Sequence, residues 1–113
     1  MKQPKIFHCR TSKTGPTHPV TLTLKKYTNN NALAVILQSA HAPWETFAVI
    51  TVNLPTSGIL PYDMAFVDTN NCPWAEDFLQ ENDIAHPTGR TGVSVFCEYP
   101  LYKFNKDSIW VEK

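Results

Sequence analysis

Residues 65–82, AFVDTNNCPWAEDFLQEN, decide how the rest of the chain is read. Ala65, Phe66 and Val67 make a short apolar run that reads as a strand. Asp68, Thr69, Asn70 and Asn71 then supply a turn and several N-cap oxygens. Pro73 falls where a first-turn proline belongs, because its missing N–H has no partner there. From Trp74 onward the period changes: Trp74, Ala75, Phe78 and Leu79 share one helical face, and Glu76, Asp77, Gln80 and Glu81 share the other. The helix is expected to stop near Asn82 and Asp83. This is one short amphipathic helix in a chain that otherwise reads as strands. It decides a fold class, not a chemistry.

Working outward, residues 20–24 (VTLTL) alternate apolar and polar with period two, the pattern of a half-buried strand. Residues 28–31 (TNNN) read as a hairpin turn, since Asn tolerates positive φ. Residues 32–37 (ALAVIL) are apolar throughout and suit a central strand covered on both faces, paired with residues 20–27. Residues 46–54 (TFAVITVNL) are rich in β-branched and aromatic side chains and read as a third strand. Residues 10–19 and 55–61 are proline-bearing loops. After the helix, residues 84–92 (IAHPTGRTG) read as a loop and residues 93–99 (VSVFCEY) as a strand. Pro100 interrupts that strand before residues 101–104 alternate again, and short strands are expected at residues 6–9 and 109–111. The expectation is one α+β domain over residues 1–113: an antiparallel sheet of about five to six strands with one short helix packed on one face. Trp44, Trp74 and Trp110 are expected in its core.

Composition bounds the function classes. At 113 residues the chain can bury a core without metals or disulfides. With 18% charged residues and thirteen aromatics, it does not have the composition of a disordered chain. The opening residues MKQPKIFHCR carry no apolar run, so neither a signal peptide nor an anchor is expected, and no segment is apolar enough to span a membrane. Three cysteines, odd in number and irregularly spaced, argue against a disulfide framework and for a reducing cytoplasm. Net charge is zero but unevenly spread. Residues 1–44 hold Lys2, Lys5, Arg10, Lys13, Lys25 and Lys26 and no acid, while residues 45–113 hold all ten acids and four basic residues. Such asymmetry either marks an interaction face or vanishes when the two parts mix in space, and mixing is the simpler expectation.

Three blocks in order, DTNN-x-PWA, PTGR-x-G and FC-x-YP-x-Y, lie between Val67 and Phe104. Together they resemble the bacterial and phage family called domain of unknown function 4313, over about a third of the chain. The resemblance brings no catalytic set. It implies a context: small proteins of phages, plasmids and conjugative elements, where accessory proteins often blunt host defence.

Chemistry is sparse. Cys72 lies at the expected helix N-terminus, where backbone N–H groups favour a thiolate, and His86 is the candidate base; a plain core cysteine is the simpler reading. The spacing of His8, Cys9, His18, His41, Cys72, His86 and Cys97 contains no paired ligand motif, so no metal and no cofactor are expected. Arg90, between Gly89 and Gly92, offers a planar fork for phosphate or carboxylate, or else pairs internally with Asp68 or Asp77. Glu76, Asp77, Glu81 and Asp83 place four acids within eight residues, as a solvated face or as a surface matched to a basic groove.

The expected function is a non-enzymatic accessory protein of a mobile element. It would inhibit a host defence complex by protein–protein binding, in its sharpest form as an anti-CRISPR protein on a Cas nuclease. Glu76, Asp77, Glu81, Asp83 and Arg90 are the candidate partner contacts. The alternative is a small nucleic-acid-binding module using the six basic residues of the N-terminal third with Phe7 or Tyr27, although net neutrality counts against it.

Overall fold

A computed structural model describes residues 2–28, 32–54 and 60–112. The described residues form ten strands and one α-helix. The strands are β1 (Lys2–Pro4), β2 (Phe7–Arg10), β3 (Thr17–Lys26), β4 (Leu33–Ser39), β5 (Thr46–Val49), β6 (Thr51–Val52), β7 (Met64–Val67), β8 (Ala85–Val93), β9 (Glu98–Phe104) and β10 (Trp110–Glu112). Helix α1 (Ala75–Glu81) lies between β7 and β8, and a 3-10 turn (Lys106–Ile109) precedes β10. The α+β class with antiparallel pairing and one short helix stands. The strands are divided among a β2-β3-β4-β5 sheet, a β6-β7-β9-β8 sheet and a β1-β10 ribbon that joins the two ends of the chain.

The expected hairpin is present. β3 and β4 pair from Val20↔Ser39 to Lys26↔Leu33, and Leu33, Ala34, Val35 and Leu37 are buried. Of its expected turn, residues 29–31 lie outside the described residues. The third expected strand divides. β5 pairs with β4, β6 pairs with β7, and Ile50 lies between the two strands, outside both, with backbone bonds toward each sheet. The Ile50 N–H donates to the Val35 carbonyl at 3.1 Å, and its own carbonyl accepts from the Asp68 N–H at 2.8 Å. Beside it, the buried Thr51 hydroxyl oxygen accepts from the Val35 N–H at 3.1 Å and lies 3.1 Å from the Tyr27 hydroxyl. A run of β-branched residues propagates a strand but does not say which sheet each part joins.

Alternation along β7 and β9 sorts two cores. Ala65, Val67, Tyr102 and Phe104 face the main core, shared with β2, β3, β4 and α1, while Phe66, Tyr99 and Leu101 build a smaller cluster on the far face. Helix α1 buries Ala75, Phe78 and Leu79, the face its period dictates. Its start differs from expectation. Asp68 spends its carboxylate on the preceding turn, accepting from the Asn71 N–H at 3.1 Å and the Asn71 side-chain amide at 2.9 Å. Trp74 is therefore the N-cap, without a side-chain cap bond, and Pro73 stays outside the helix. The helix ends at Asn82, whose side-chain amide donates to the Phe78 carbonyl.

The segment after the helix reverses expectation. Residues 85–93 form the edge strand β8, and residues 94–97 form the hairpin tip, closed by a Ser94 N–H to Cys97 carbonyl bond of 2.8 Å. An edge strand needs backbone partners on one side only, so a polar, glycine-bearing sequence suffices. Pro100 sits within β9 at the first residue past its β7 partners, where the missing N–H costs little. Gly92 is required by packing: a Cβ there would lie 2.6 Å from Phe66 Cε1 and 2.8 Å from Leu54 Cδ1. Gly92→Ala should cost about 1–3 kcal/mol by overpacking, read as a lower urea midpoint at unchanged slope. Two of the tryptophans depart from expectation, because Trp44 is 62% exposed and Trp110 40%, while Trp74 is partly buried and packs against the main core.

Candidate functional site

The five candidate contacts do not form one surface. Glu76 is half-buried and accepts a 2.7 Å hydrogen bond from the Tyr102 hydroxyl, which accepts one from the Gln80 side-chain amide at 2.7 Å. It braces the helix against β9. Asp83 is exposed and pairs with His86 Nε2 at 2.8 Å. Arg90 is exposed at the irregularity in β8, where the register shifts between Pro87 and Thr91 and Gly89 has φ +86°. The expected Arg90 pairing with Asp68 or Asp77 is not formed; among the described residues no acid lies within ion-pair distance of it. Asp77 and Glu81 line one groove together.

That groove, of about 560 Å³, lies between α1 and the loop joining β2 to β3. Arg10 and Lys13 line one wall with His8 and Thr17. Asp77 and Glu81, exposed and one helical turn apart, line the other. Trp74 and Phe78 form the base, where edge-on ring contacts run from Phe7 through Phe78 and Trp74 to Phe47 at 6.1–6.4 Å between centroids. The Arg10 guanidinium donates to the Lys13 carbonyl at 3.4 Å, which ties the loop together. Among the described residues no ion pair crosses between the walls. The basic and acidic parts of the sequence thus do meet in space here.

Among the described basic side chains of the N-terminal third, Arg10 and Lys13 do not share a patch with Lys25 and Lys26. Arg10 and Lys13 flank the start of β3 while Lys25 and Lys26 end it, and the ten-residue strand spans about 30 Å at strand rise. The aromatic partners expected beside them have structural roles: Phe7 is buried, and the Tyr27 hydroxyl is held at Thr51.

Sequence reasoning missed the hairpin tip. Val93, Val95 and Phe96 are 64%, 84% and 94% exposed. Their alternation suggested a strand with a buried face, and nothing local distinguishes that from a protruding turn.

Two of the three thiols, Cys9 and Cys72, are buried and held toward the protonated form. Burial and the nearby Asp68 carboxylate push the Cys72 thiol up, opposite to the expected activation, and its sulfur contacts the Val49 carbonyl at 3.8 Å. Burial, with Cys72 beside it, pushes Cys9 up to about 12. Among the described residues no three His, Cys, Asp or Glu side chains are placed to hold a metal ion. Burial and then the Glu76 contact raise the Tyr102 phenol to about 12. Tyr102 and Cys9 thus have folded-state pKa values above those of the unfolded chain, so their contribution is complete below their ordinary values of 10 and 9. It is lost as pH rises through that window toward about 12. Urea midpoints should hold steady up to about pH 9 and then fall, and Tyr102→Phe should flatten the decline at its upper end.

The described residues thus define a small antiparallel α+β domain with a two-signed groove beside its helix and an apolar hairpin tip. The family model described as Domain of unknown function (DUF4313) matches residues 21–111, and the chain belongs to that family. The match takes in the helix wall of the groove and the hairpin tip, while Arg10 and Lys13 precede it. No curated protein and no solved structure matches the chain. No helix among the described residues is long and apolar enough to cross a membrane.

Proposed function

We propose that this chain is a non-enzymatic accessory protein of a mobile genetic element that inhibits a host defence complex in the cytoplasm by protein–protein binding. An anti-CRISPR protein blocking a Cas nuclease is its sharpest form. The observation that carries protein binding is the hairpin tip and the end of β8 beside it, where Val93, Val95 and Phe96 stand in water. A large apolar side chain left this exposed forgoes up to about 1.5–3 kcal/mol of burial, which a partner pocket would recover. The mobile-element context comes from the family resemblance. The acids of the groove wall and Arg90 at the β8 irregularity are separate candidate polar contacts.

The test is twofold. Cells carrying an active Cas nuclease are challenged with a targeted phage, with and without this protein, and the tagged protein is used to capture the purified nuclease complex before and after nuclease treatment. Restored plating together with capture that survives nuclease treatment is expected. Unchanged plating and no capture would remove this reading. Retention of nucleic acid alone, lost at higher salt, would favour the nucleic-acid alternative instead.

A further inference from the structure

The groove beneath α1 has a chemistry more specific than a solvated charged face. Its walls carry opposite signs, Arg10 and Lys13 against Asp77 and Glu81, and its base is the aromatic pair Trp74 and Phe78. Phosphate chains are poor occupants, because two exposed carboxylates would face any backbone that Arg10 and Lys13 attracted. Polybasic ligands meet the reverse problem. An occupant that satisfies both walls must alternate in sign across its width.

Spacing selects its form. Asp77 and Glu81 are four residues apart on a helix, about 5–6 Å between Cβ atoms. Same-side residues of an extended strand are about 6.5–7 Å apart, and the residue between them points the opposite way. An extended segment therefore offers two cations to Asp77 and Glu81 and an anion to Arg10 or Lys13, with its methylene stems over the rings. The helix supplies an independent sign of an unmet cation: its last turn carries no basic residue, and Glu81 stands at the end where the backbone dipole is already negative. That placement is locally unfavourable and is relieved by a positive ligand group.

We propose that this groove binds an extended segment of the partner protein in which basic and acidic side chains alternate. The inference rests on the protein-binding reading and deepens it.

The test is an NMR titration of the full chain with a short peptide of alternating Lys and Glu, beside all-Lys and all-Glu peptides of equal length and oligodeoxythymidylate. Amide shifts confined to residues 8–17 and 73–81, strongest with the alternating peptide, are expected. Asp77→Lys with Glu81→Lys should weaken binding about tenfold or more, as should Arg10→Glu with Lys13→Glu. The four changes combined should restore affinity to within about threefold, because an alternating strand presents either sign to either wall by shifting one residue. Asp77→Asn with Glu81→Gln serves as a milder pair if the reversed one fails to fold. Equal or tighter binding of all-Lys peptide or oligodeoxythymidylate, or no shift in the groove, overturns the proposal. Capture of the nuclease complex that survives the groove reversals but depends on Phe96 also sinks it, while leaving the protein-binding reading intact; capture indifferent to both sinks that reading as well.

Discussion

Phe96→Asp is expected to weaken capture of the partner complex about thirtyfold or more while leaving thermal stability unchanged. A central aromatic anchor in an interface typically contributes 2 kcal/mol or more on truncation, which sets about that fold-change. Its ring is 94% exposed in the free chain, so removing it takes nothing from either core. Adding a charge also opposes insertion into an apolar pocket. Val95→Asp should behave alike but more weakly, following its smaller area, and the wild-type turn bond from Ser94 to Cys97 should survive both. Binding by calorimetry and melting by circular dichroism separate the two quantities. Unaltered affinity in Phe96→Asp would remove the tip from the interface and with it the main support for the proposed function.

Thr51→Val should be more destabilising than Thr51→Ser, although Val keeps the buried volume and Ser loses a methyl. The Thr51 hydroxyl satisfies the buried Val35 N–H at the point where Ile50 passes from one sheet to the other. Replacing it leaves that donor unpaired, costing about 2 kcal/mol, or a melting temperature lower by about 8 °C in a chain of this length. Ser retains the acceptor and loses about one buried methyl, about 1 kcal/mol. The Tyr27 hydroxyl has a second partner in the Thr51 carbonyl at 3.2 Å, so it contributes little to the difference. If Val proves as stable as the native chain, the hydroxyl is not what fastens the two sheets together.

The readings that held rest on local rules. The period of residues 74–81 places Ala75, Phe78 and Leu79 against the core whatever surrounds them, because a helix has only one set of faces. The alternation of residues 20–24 against the uniformly apolar residues 32–37 specifies the β3–β4 hairpin, since one strand is half covered and the other enclosed. The α+β class follows from these two elements, and the family from three motif blocks that now prove to be a turn and helix start, an irregular edge strand, and a tip leading into β9.

Only the tertiary structure decided the rest. Whether residues 46–54 serve one sheet or two depends on where Val35 and Asp68 lie, and residues 93–97 protrude because β8 and β9 pair on either side of them. The candidate acids separated for the same reason. Glu76 met Tyr102, Asp83 met His86, and Asp77 and Glu81 were left facing a loop more than sixty residues earlier in the chain. A periodic pattern reports which face of an element is apolar. Which polar side chains on the other face find partners depends on long-range contacts, and those determine whether a charge is a brace, a solvated residue or a binding wall.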